Sequence, residues 1–385
     1  MADRQFDIVV FGATGFTGAL TAEYLAKHAP RSTRWALAGR NAEKLAAVGE
    51  RLGRDDLPVL HADVEDANSV NELARSTRVV ITTVGPYIKY GEPLVAACAE
   101  AGTDYLDLTG EPEFVDLMYV RHHARAAESG ARLIHACGFD SIPHDLGTYF
   151  TVQQLPEDVP IEVEGFVRVG GDFSGGTFAS AVTAFSRVRE MRSAAAERRK
   201  REPTPDGRRV RAGRPRPRYE RSIGAWALPA PTIDPQIILR SARALDRYGP
   251  DFRYGHYFAI KRLPVAVGAV GGLTALFAAS QIPPARKWLL SRRPSGAGPS
   301  PEQRAEHWFN VRFVGRGGGD EVTTEVSGGD PGYDETAKML AESALSLAHD
   351  DLPATAGQVT TAIAMGDSLI SRLTRAGMRF EVVDG

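Results

Sequence analysis

The sequence predicts an α/β fold in which a doubly wound parallel sheet is followed by a second, mixed α/β domain. Three observations lead to this prediction. Short apolar runs alternate strictly with helical patterns over residues 1–150, which is typical of a parallel sheet with helices on both faces. A glycine-rich turn joins the first apolar run to the first helical pattern. The chain has 385 residues, more than one ordinary core accommodates, so two domains are expected.

The elements of the N-terminal domain follow from their patterns in chain order. Apolar runs predict strands at 7–11, 34–40, 57–63, 78–85, 104–110 and 131–138. Apolar residues at helical spacing predict helices at 16–28, 42–53, 92–102 and 113–130. Because strands and helices alternate, the sheet is expected to be parallel and doubly wound, which is the Rossmann arrangement.

The turn after the first strand has the pattern of a dinucleotide-binding loop. It reads FGATGFTG, with glycines at positions 12, 15 and 18. Gly12 permits the tight turn, Gly15 lets a pyrophosphate approach the backbone, and Gly18 lets the helix pack closely on the strand. The N-terminus of the helix then offers free N–H groups to the phosphates. The predicted cofactor contacts in this turn are Gly12, Thr14, Gly15, Phe16, Thr17 and Gly18; the alternative is a turn without a ligand.

The end of the second strand indicates which dinucleotide binds. A carboxylate there would hold a ribose hydroxyl and favour NAD. This chain has Arg40 instead, whose planar guanidinium can accept a 2′-phosphate and stack on adenine, so NADP(H) is the expected cofactor. The alternative is a solvated surface arginine. Asp63 is expected near the adenine, and Val84, Gly85 and Pro86 are expected on the nicotinamide side.

Composition narrows the class of protein. The net charge of −2 argues against a nucleic-acid binder. The two cysteines, Cys98 and Cys137, cannot form a disulfide framework in so long a chain, so a reducing compartment is expected. The N-terminus lacks a charged leader followed by an apolar run and a cleavage site. These observations predict a cytoplasmic protein.

The second domain is predicted to span 151–355 and to contain two unusual segments. Residues 187–221 hold 14 basic and 5 acidic residues and are rich in Pro and Gly toward their end, which predicts a basic loop. Residues 263–282 carry no charge and are long enough to span a bilayer. A partly exposed element that touches lipid or an acyl chain is preferred, and an ordinary buried helix is the alternative. Residues 356–385 are expected to form a helix and a strand that pack back on the body.

Several motifs together resemble the saccharopine dehydrogenase-like oxidoreductases. They are GATGFTG, AGR, TTVGPY, YLDLTGE, CGFDSIPHDLG, GGDFSGGTFAS and the tail TTAIAMGDSLISRLTRAGMRFEV. The resemblance is greatest to the trans-acting enoyl reductases that serve polyketide synthases and lipid biosynthesis. It implies an NADP-type Rossmann domain and a mixed α/β second domain. The glycine spacing differs from that of the saccharopine reductases themselves, and no amino-acid-substrate signature is present.

Three residues on the predicted strand ends are candidate catalytic groups. Tyr87 follows the fourth strand and can donate a proton or polarise a carbonyl, or else form an aromatic wall beside the cofactor. Asp140 and His144 follow the sixth strand and can perform acid–base chemistry. Ser141 is expected to cap the next helix, and Cys137 is expected to be a buried thiol. No spacing suggests a metal site.

A second glycine pair in SGGT, 174–177, precedes an apolar helical pattern. It predicts either an anion-accepting helix N-terminus or a turn with a threonine cap.

Taken together, these features predict an NADPH-dependent oxidoreductase, with reduction of an enoyl thioester on a lipid or polyketide chain as the preferred reaction. The expected partners are a small-molecule or carrier-bound acyl substrate and a peripheral membrane contact, with a homodimer as a further expectation and no nucleic acid. Two alternatives stay open: a saccharopine-type imine reductase and a non-catalytic NADP-binding scaffold.

Overall fold

The computed structural model describes residues 4–171, 175–292 and 298–383, and in it the side chains of 175–177 and 292 also lie outside the description. The N-terminal elements are β1 (Phe6–Phe11), α1 (Phe16–His28), β2 (Trp35–Gly39), α2 (Ala42–Arg51), β3 (Val59–His61), α3 (Ala67–Ser76), β4 (Thr77–Thr82), α4 (Tyr87–Tyr90), α5 (Glu92–Ala101), β5 (Asp104–Leu106), α6 (Pro112–Ser129), β6 (Arg132–Ile134) and α7 (Ile142–Val152). Every strand and helix predicted for residues 1–150 is present, and α3 and α4 are additional.

The remaining elements belong mostly to a second layer. They are β7 (Ile161–Gly170), α8 (Gly175–Ser186), α9 (Val188–Arg201), β8 (Arg209–Ala212), β9 (Arg218–Glu220), β10 (Ala225–Pro229), α10 (Asp234–Ala244), β11 (Asp251–Ile260), α11 (Leu263–Ser280), α12 (Pro283–Arg292), α13 (Pro301–Ala305), β12 (Trp308–Gly317), β13 (Asp320–Gly328), α14 (Asp334–His349), β14 (Gly357–Val359), α15 (Thr361–Ala364), α16 (Gly366–Arg375) and β15 (Arg379–Val383).

The first sheet confirms the predicted Rossmann arrangement. Its order is β14-β6-β5-β4-β1-β2-β3, and each neighbouring pair is parallel. The central strand β1 is buried along its whole length. Ile8 and Val10 pack into one core cluster while Val9 packs into another, because successive side chains of a strand point to opposite faces. The continuous apolar run therefore reflects helices on both faces of the sheet.

The chain returns to this sheet long after residue 150. Helix α14 packs against α1 and against β4, and it is buried along nearly all of its length. Strand β14 pairs in parallel with β6 and extends the sheet at that edge. The N-terminal layer thus includes parts of the predicted 151–355 and 356–385 segments, because a parallel sheet needs both faces covered.

The second sheet is mixed and covers the open side of the first domain. Its order is β15-β13-β12-β7-β11-β10-β9, with β8 pairing β11 beside this path. Strands β7 and β11 are parallel, and β12 runs antiparallel to β7 over ten residue pairs. The C-terminal strand β15 adds to the edge at β13, so the tail contributes a strand to each sheet.

The basic segment 187–221 is not one continuous loop, and that prediction is wrong for most of it; only 202–208, 213–217 and its first and last residues lack a helix or strand. Its first half is the helix α9, and its second half contains the strands β8 and β9. Basic residues are held there by acidic partners: buried Arg198 contacts Asp116 at 2.7 Å, and Arg218 contacts Glu164 at 2.8 Å. The proline-rich composition gave no sign of these carboxylates, which lie in other parts of the chain.

The apolar segment 263–282 forms the helix α11 with its surface exposed. Only Ala266 and Ser280 of its 18 residues are buried, so the alternative of an ordinary buried helix is wrong. By length and composition this is the one helix, among the residues described, that could cross a membrane.

Candidate functional site

A cleft of about 570 Å³ lies between the carboxyl ends of the first-sheet strands and the second domain. In a doubly wound sheet this edge is where ligands bind. All the residues predicted to bind the cofactor line this cleft: Gly12, Thr14, Gly15, Phe16, Thr17, Gly18, Arg40, Asp63, Val84, Gly85 and Pro86. The three candidate catalytic residues, Tyr87, Asp140 and His144, line it as well. Their individual roles stay predictions.

The glycine turn has the geometry of a phosphate cradle. Gly12 has a φ of +91°, which L-residues with side chains rarely adopt. A Cβ on Gly18 would lie 2.3 Å from the carbonyl oxygen of Gly12, so only glycine allows α1 to start this close to β1. Gly15 is the N-cap of α1 and supplies no side-chain hydrogen bond. The first N–H groups of the helix are therefore available to an anion, and the turn fits a dinucleotide.

The adenosine side of the cleft carries a cation. Arg40 follows β2, is exposed, and lines the cleft. Across the described part of the chain, no carboxylate pairs with its guanidinium. Asp63 follows β3, and its carboxylate accepts a hydrogen bond from the N–H of Glu65 at 3.1 Å. An unpaired guanidinium at this strand end fits a 2′-phosphate.

Tyr87 is buried at the nicotinamide side and its hydroxyl is committed to the backbone. The hydroxyl donates to the carbonyl oxygen of Thr82 at 3.1 Å and accepts from the N–H of Leu108 at 3.2 Å. Burial, helped by the Asp107 carboxylate, raises the pKa of the phenol well above its usual value. Its ring packs against Phe114 at 5.9 Å. These contacts favour the aromatic wall over the proton donor.

Glu111, which the sequence patterns did not single out, supports this wall. Its carboxylate accepts hydrogen bonds from the N–H groups of Tyr87 at 3.0 Å and Ile88 at 2.8 Å. It thereby caps the start of α4 from a distant loop. Burial raises the pKa of Glu111, while these two N–H groups oppose the shift. Glu111 is the last residue of the motif YLDLTGE. It lies more than 20 residues after the helix that it caps, so no short sequence pattern could predict this role.

Asp140 is the titratable group best suited to proton transfer. It lies after β6 and lines the cleft, and a Cβ on Gly110 would lie 3.2 Å from its Oδ2. No hydrogen bond or ion pair engages its carboxyl within the residues described. Burial first, and the negative charge of Asp234 second, raise its pKa to about 7. A carboxyl with this pKa is protonated in a large fraction of molecules at neutral pH and can act as an acid.

Next to Asp140 lies a buried chain of polar side chains, His144, Asp234 and His256. Nδ1 of His144 lies 3.1 Å from Oδ1 of Asp234, and Nε2 of His256 lies 3.2 Å from Oδ2. The first contact has the distance of a hydrogen bond without its angle, since Nδ1 of His144 has no hydrogen-bond partner. The Tyr254 hydroxyl lies 2.9 Å from Nδ1 of His256.

The ionisation states of this chain follow from burial and contact. Burial alone would raise the pKa of Asp234, but His144 and His256 outweigh it and hold the pKa below its usual value. An ionised Asp234 accepts from Nε2–H of His256, and the Tyr254 hydroxyl lies within hydrogen-bond distance of Nδ1 of the same ring. Burial lowers the pKa of His144 to about 4, although Asp234 opposes the shift. His144 is therefore a neutral imidazole at pH 7.

The sequence predicted no metal site, and the fold brings together three side chains that have ligand chemistry. The donor atoms of His144, Asp234 and His256 lie within 4.8 Å of one another. They come from α7, α10 and β11, and 90 residues separate the first from the second, so no spacing rule could find them. Asp234 and His256 already contact each other as a hydrogen-bonded pair, so their arrangement is explained without a metal ion.

The motif CGFDSIPHDLG, 137–147, also contains residues that do not line the cleft. Cys137 is buried, as predicted. Ser141 occupies the N-cap position of α7 but makes no capping bond, so the expected cap is wrong; its hydroxyl instead donates to Asp234 at 3.4 Å. Asp145 accepts from Ser241 at 2.5 Å, on α10. The predicted SGGT site at 174–177 lies outside the residues whose side chains are described.

The second-domain wall of the cleft decides which substrates it accepts. It contains apolar, hydroxyl, acidic and histidine residues: Val167, Val169, Ala179, Ser180, Thr183, Thr232, Asp234, His256, Phe258, Pro331, Tyr333 and Thr336. Among the described residues of this wall there is no Arg or Lys. The cleft therefore combines a dinucleotide cradle with an unpaired acid and a wall that offers no cation to a substrate carboxylate.

Comparison with known proteins supports the cofactor side of the site. Residues 8–134 match the model of the saccharopine dehydrogenase NADP binding domain. The fold resembles the apo saccharopine dehydrogenase (L-Glu forming) of Saccharomyces cerevisiae, with a TM-score of 0.55 at 12% identity, covering 98% of this chain and 100% of that one. At this identity the likeness concerns the fold alone.

Curated relatives are similar over the whole length. A protein of Mycobacterium tuberculosis H37Rv, provisionally named a trans-acting enoyl reductase, is 39% identical and covers 98% of this chain and 97% of its own. A trans-acting enoyl reductase of Mycobacterium ulcerans is 34% identical, with the same two coverages. Another, from Mycobacterium bovis BCG, is 36% identical.

Proposed function

Because this chain belongs to the family of the trans-acting enoyl reductases, we propose that it reduces the carbon–carbon double bond of an enoyl thioester carried on a lipid or polyketide chain. The protein is an NADP-dependent oxidoreductase, and its cofactor is NADP(H). The observation that supports the proposed reaction is the pairing in one cleft of an unengaged Asp140, with a pKa of about 7, and a second-domain wall without a described cation.

Each part of the cleft has a task in this reaction. When bound, NADPH would supply the hydride that the β-carbon of the double bond receives. The N-terminus of α1 would hold the phosphates, Arg40 would hold the 2′-phosphate, and the wall around Tyr87 would face the nicotinamide. The carboxyl of Asp140 then donates its proton to the α-carbon, so that the product is the saturated thioester. Water at the cleft reprotonates Asp140, which is only partly buried.

His144 is suited to stabilise the charge that develops on the thioester oxygen. The imidazole is neutral at pH 7 because burial lowers its pKa to about 4. Its Nδ1 faces Asp234, so the tautomer that carries its proton on Nε2 is the one that can donate a hydrogen bond to the thioester oxygen without protonating the enolate. Asp234 and His256 are positioning residues: the ring of His256 packs edge-on against the ring of His144 at 5.2 Å between centroids, and Asp234 keeps a negative charge near Asp140. That charge raises the pKa of Asp140 into the range where it can act as an acid.

The two rival functions make different demands on the cleft. An imine reductase acting on an amino acid needs Arg or Lys to bind the substrate carboxylates, and the described second-domain wall offers neither. A scaffold that only binds NADP does not need the unpaired carboxyl of Asp140 near the nicotinamide. Burial and the charge of Asp234 raise the pKa of this carboxyl, which is unfavourable for a group without a chemical role. Both considerations support the enoyl reductase. The free, buried thiols of Cys98 and Cys137 are in keeping with a cytoplasmic enzyme.

The test is turnover with a substrate panel. Purified protein and NADPH are mixed with trans-2-enoyl thioesters of increasing chain length, and NADPH absorbance and product mass are followed. The product should be heavier than the substrate by two hydrogens. Each buried methylene contributes about 0.8 kcal/mol, so KM should fall roughly fourfold per methylene until the apolar wall is covered.

A parallel panel separates the rivals. It contains a ketone and an imine generated from an amino acid and a keto acid. Reduction of the imine alone would reject the enoyl assignment and leave the NADP-dependent oxidoreductase intact. NADPH binding without oxidation by any thioester, free or carrier-bound, would favour the scaffold.

A further inference from the structure

The helix α11 presents an apolar surface to solvent. Its exposed large side chains are Leu263, Val265, Val267, Val270, Leu273 and Phe277, and Val267 is 64% exposed. Apart from chain neighbours and the backbone of the helix itself, no atom of the described residues lies within 4 Å of the Cβ positions built on its three glycines, so their side of the helix also faces open space. The helix is thus apolar and exposed around most of its circumference, which costs free energy in water.

Exposure around the circumference argues for a surrounding apolar medium. A protein partner covers one face of a surface helix, and the opposite face is then polar. In α11 the stretch from Leu263 to Ala285 contains no charged residue. Hydrocarbon satisfies such a helix on all sides, and a flat protein surface does not.

The ends of the helical pair α11–α12 carry positive charge. Residues 261–292 contain five basic residues and no acidic one. Within the described chain, Lys261, Arg262, Arg286 and Lys287 have no carboxylate partner, in contrast to the paired arginines of 187–221. Two copies of the chain meeting through this surface would bring like charges together. An anionic surface would be attracted to it.

The attachments of α11 indicate that it lies in a membrane surface and does not cross it. It begins three residues after β11 ends, and at its far end Gln281 donates to the carbonyl oxygen of Phe185 on α8 at 2.6 Å. Both ends therefore adjoin the same body. Helix α12 has 10 residues, about 15 Å, and is too short to carry the chain back across a hydrocarbon core of about 30 Å.

We propose that α11 and α12 form an interfacial docking element that holds the enzyme on an anionic lipid surface. Helix α11 lies along the surface just beneath the headgroups, so that acyl chains contact it around most of its circumference. The basic residues at its ends contact the anionic headgroups, and exposed Trp288 of α12 lies at the interface, where tryptophan is favoured.

The docking element adjoins the cleft through one helix. Phe277 of α11 contacts Phe185 of α8 at 5.7 Å between ring centroids. The same helix α8 lines the cleft with Ala179, Ser180 and Thr183. A lipid-bound substrate would therefore reach the cleft without the enzyme leaving the surface. This consequence rests on the proposed function, whereas lipid docking itself does not.

The experiment is vesicle flotation of the full-length protein with neutral phosphatidylcholine and with phosphatidylcholine containing phosphatidylglycerol. We expect the wild type to float with the anionic vesicles at low salt, and less at high salt. V267E/V270E should lower the partition coefficient at least about tenfold. The matched control is Val382→Glu, which changes an exposed valine of β15 and should float like the wild type. R286Q/K287Q should weaken binding to the anionic vesicles only.

Each other outcome has a definite meaning. NADPH affinity, measured on every variant, verifies that the fold is intact. A wild type that stays unbound at low salt with anionic vesicles overturns the proposal, and so does equal flotation of V267E/V270E. If light scattering shows a dimer that V267E/V270E dissociates, with no vesicle binding, the occupant is a second copy and the lipid proposal fails. If the wild type floats with the anionic vesicles but reduces no enoyl thioester, the proposed reaction is rejected and the lipid-docking proposal stands.

Discussion

Replacing Asp140 by asparagine removes the proposed proton donor and leaves the shape of the side chain unchanged. If Asp140 protonates the α-carbon, kcat should fall roughly 100-fold or more, while NADPH affinity stays the same. In the wild type, kcat/KM should decline as the pH rises through about 7, because only the protonated carboxyl can donate. The residual activity of the variant should lack this decline.

The same substitution has a predictable effect on stability. The pKa of Asp140 is raised from an ordinary 3.8 to about 7, so the folded state resists ionisation that the unfolded state allows. The wild-type carboxyl therefore does not lower the free energy of unfolding below about pH 4. Its destabilising effect grows as the pH rises from there and is complete once the pH passes about 7. This rise in the pKa corresponds to at most about 4 kcal/mol of unfolding free energy. Partial exposure of the side chain reduces this, and about 2–4 kcal/mol is expected.

The assay pairs kinetics with urea unfolding at several pH values. Asp140→Asn should match the wild type near pH 4 and become more stable than it from there to above pH 7. Asp351→Asn is the control, because Asp351 is an exposed aspartate that does not line the cleft. It should change neither kcat nor the dependence of stability on pH.

Two results would refute the reasoning separately. Full activity of Asp140→Asn would remove Asp140 from the chemistry. A stability difference that does not vary with pH would show that the carboxyl of Asp140 titrates normally, and the argument from burial and from Asp234 would then be unsound.

Three further substitutions test the cofactor side. Arg40→Asp should abolish or reverse the preference for NADPH over NADH in fluorescence titrations, at a cost of roughly tenfold or more in NADPH affinity; equal wild-type affinities would contradict it. Gly15→Val should fold, since a Cβ there lies 3.4 Å from its nearest neighbour, but should not bind dinucleotide; circular dichroism checks the fold. Tyr87→Phe should lose about 1–3 kcal/mol of unfolding free energy, because the N–H of Leu108 loses its acceptor. Its kcat should stay within a few-fold of wild type, and a large loss of kcat would restore the proton-donor role.

The first domain could be predicted because its signals are local. Each strand there is a short apolar run and each helix has its own period, so β1 and α1 follow from the consecutive residues 6–28. The return of α14 and β14 to this sheet could not be predicted in the same way. Helix α14 is buried on all sides, and its sequence does not say which of two sheets it covers.

The functional site shows the same difference between local sequence signals and long-range packing. The cofactor residues sit directly after strands of one parallel sheet, so topology alone places them on one edge. Asp234 and His256 lie in the second domain, on α10 and β11, and only the packing of the two domains brings them to His144. A lone aspartate in the first turn of a helix has an ordinary structural explanation, and nothing in its neighbourhood distinguishes Asp234.

Asp140 and Asp145 show how packing assigns different tasks to similar residues of one motif. Asp145 accepts hydrogen bonds from Ser241 of α10 and from Thr361 and the N–H of Ala362 in the C-terminal segment. Ser241 lies seven residues, or about two helical turns, after Asp234, so both occupy the same side of α10. Asp145 lies on α7 and Ser241 lies on α10. Their hydrogen bond therefore fixes α10, the helix that presents Asp234. Asp145, whose carboxylate is fully hydrogen-bonded, thus positions Asp234. The negative charge of Asp234, together with burial, keeps the pKa of Asp140 near 7.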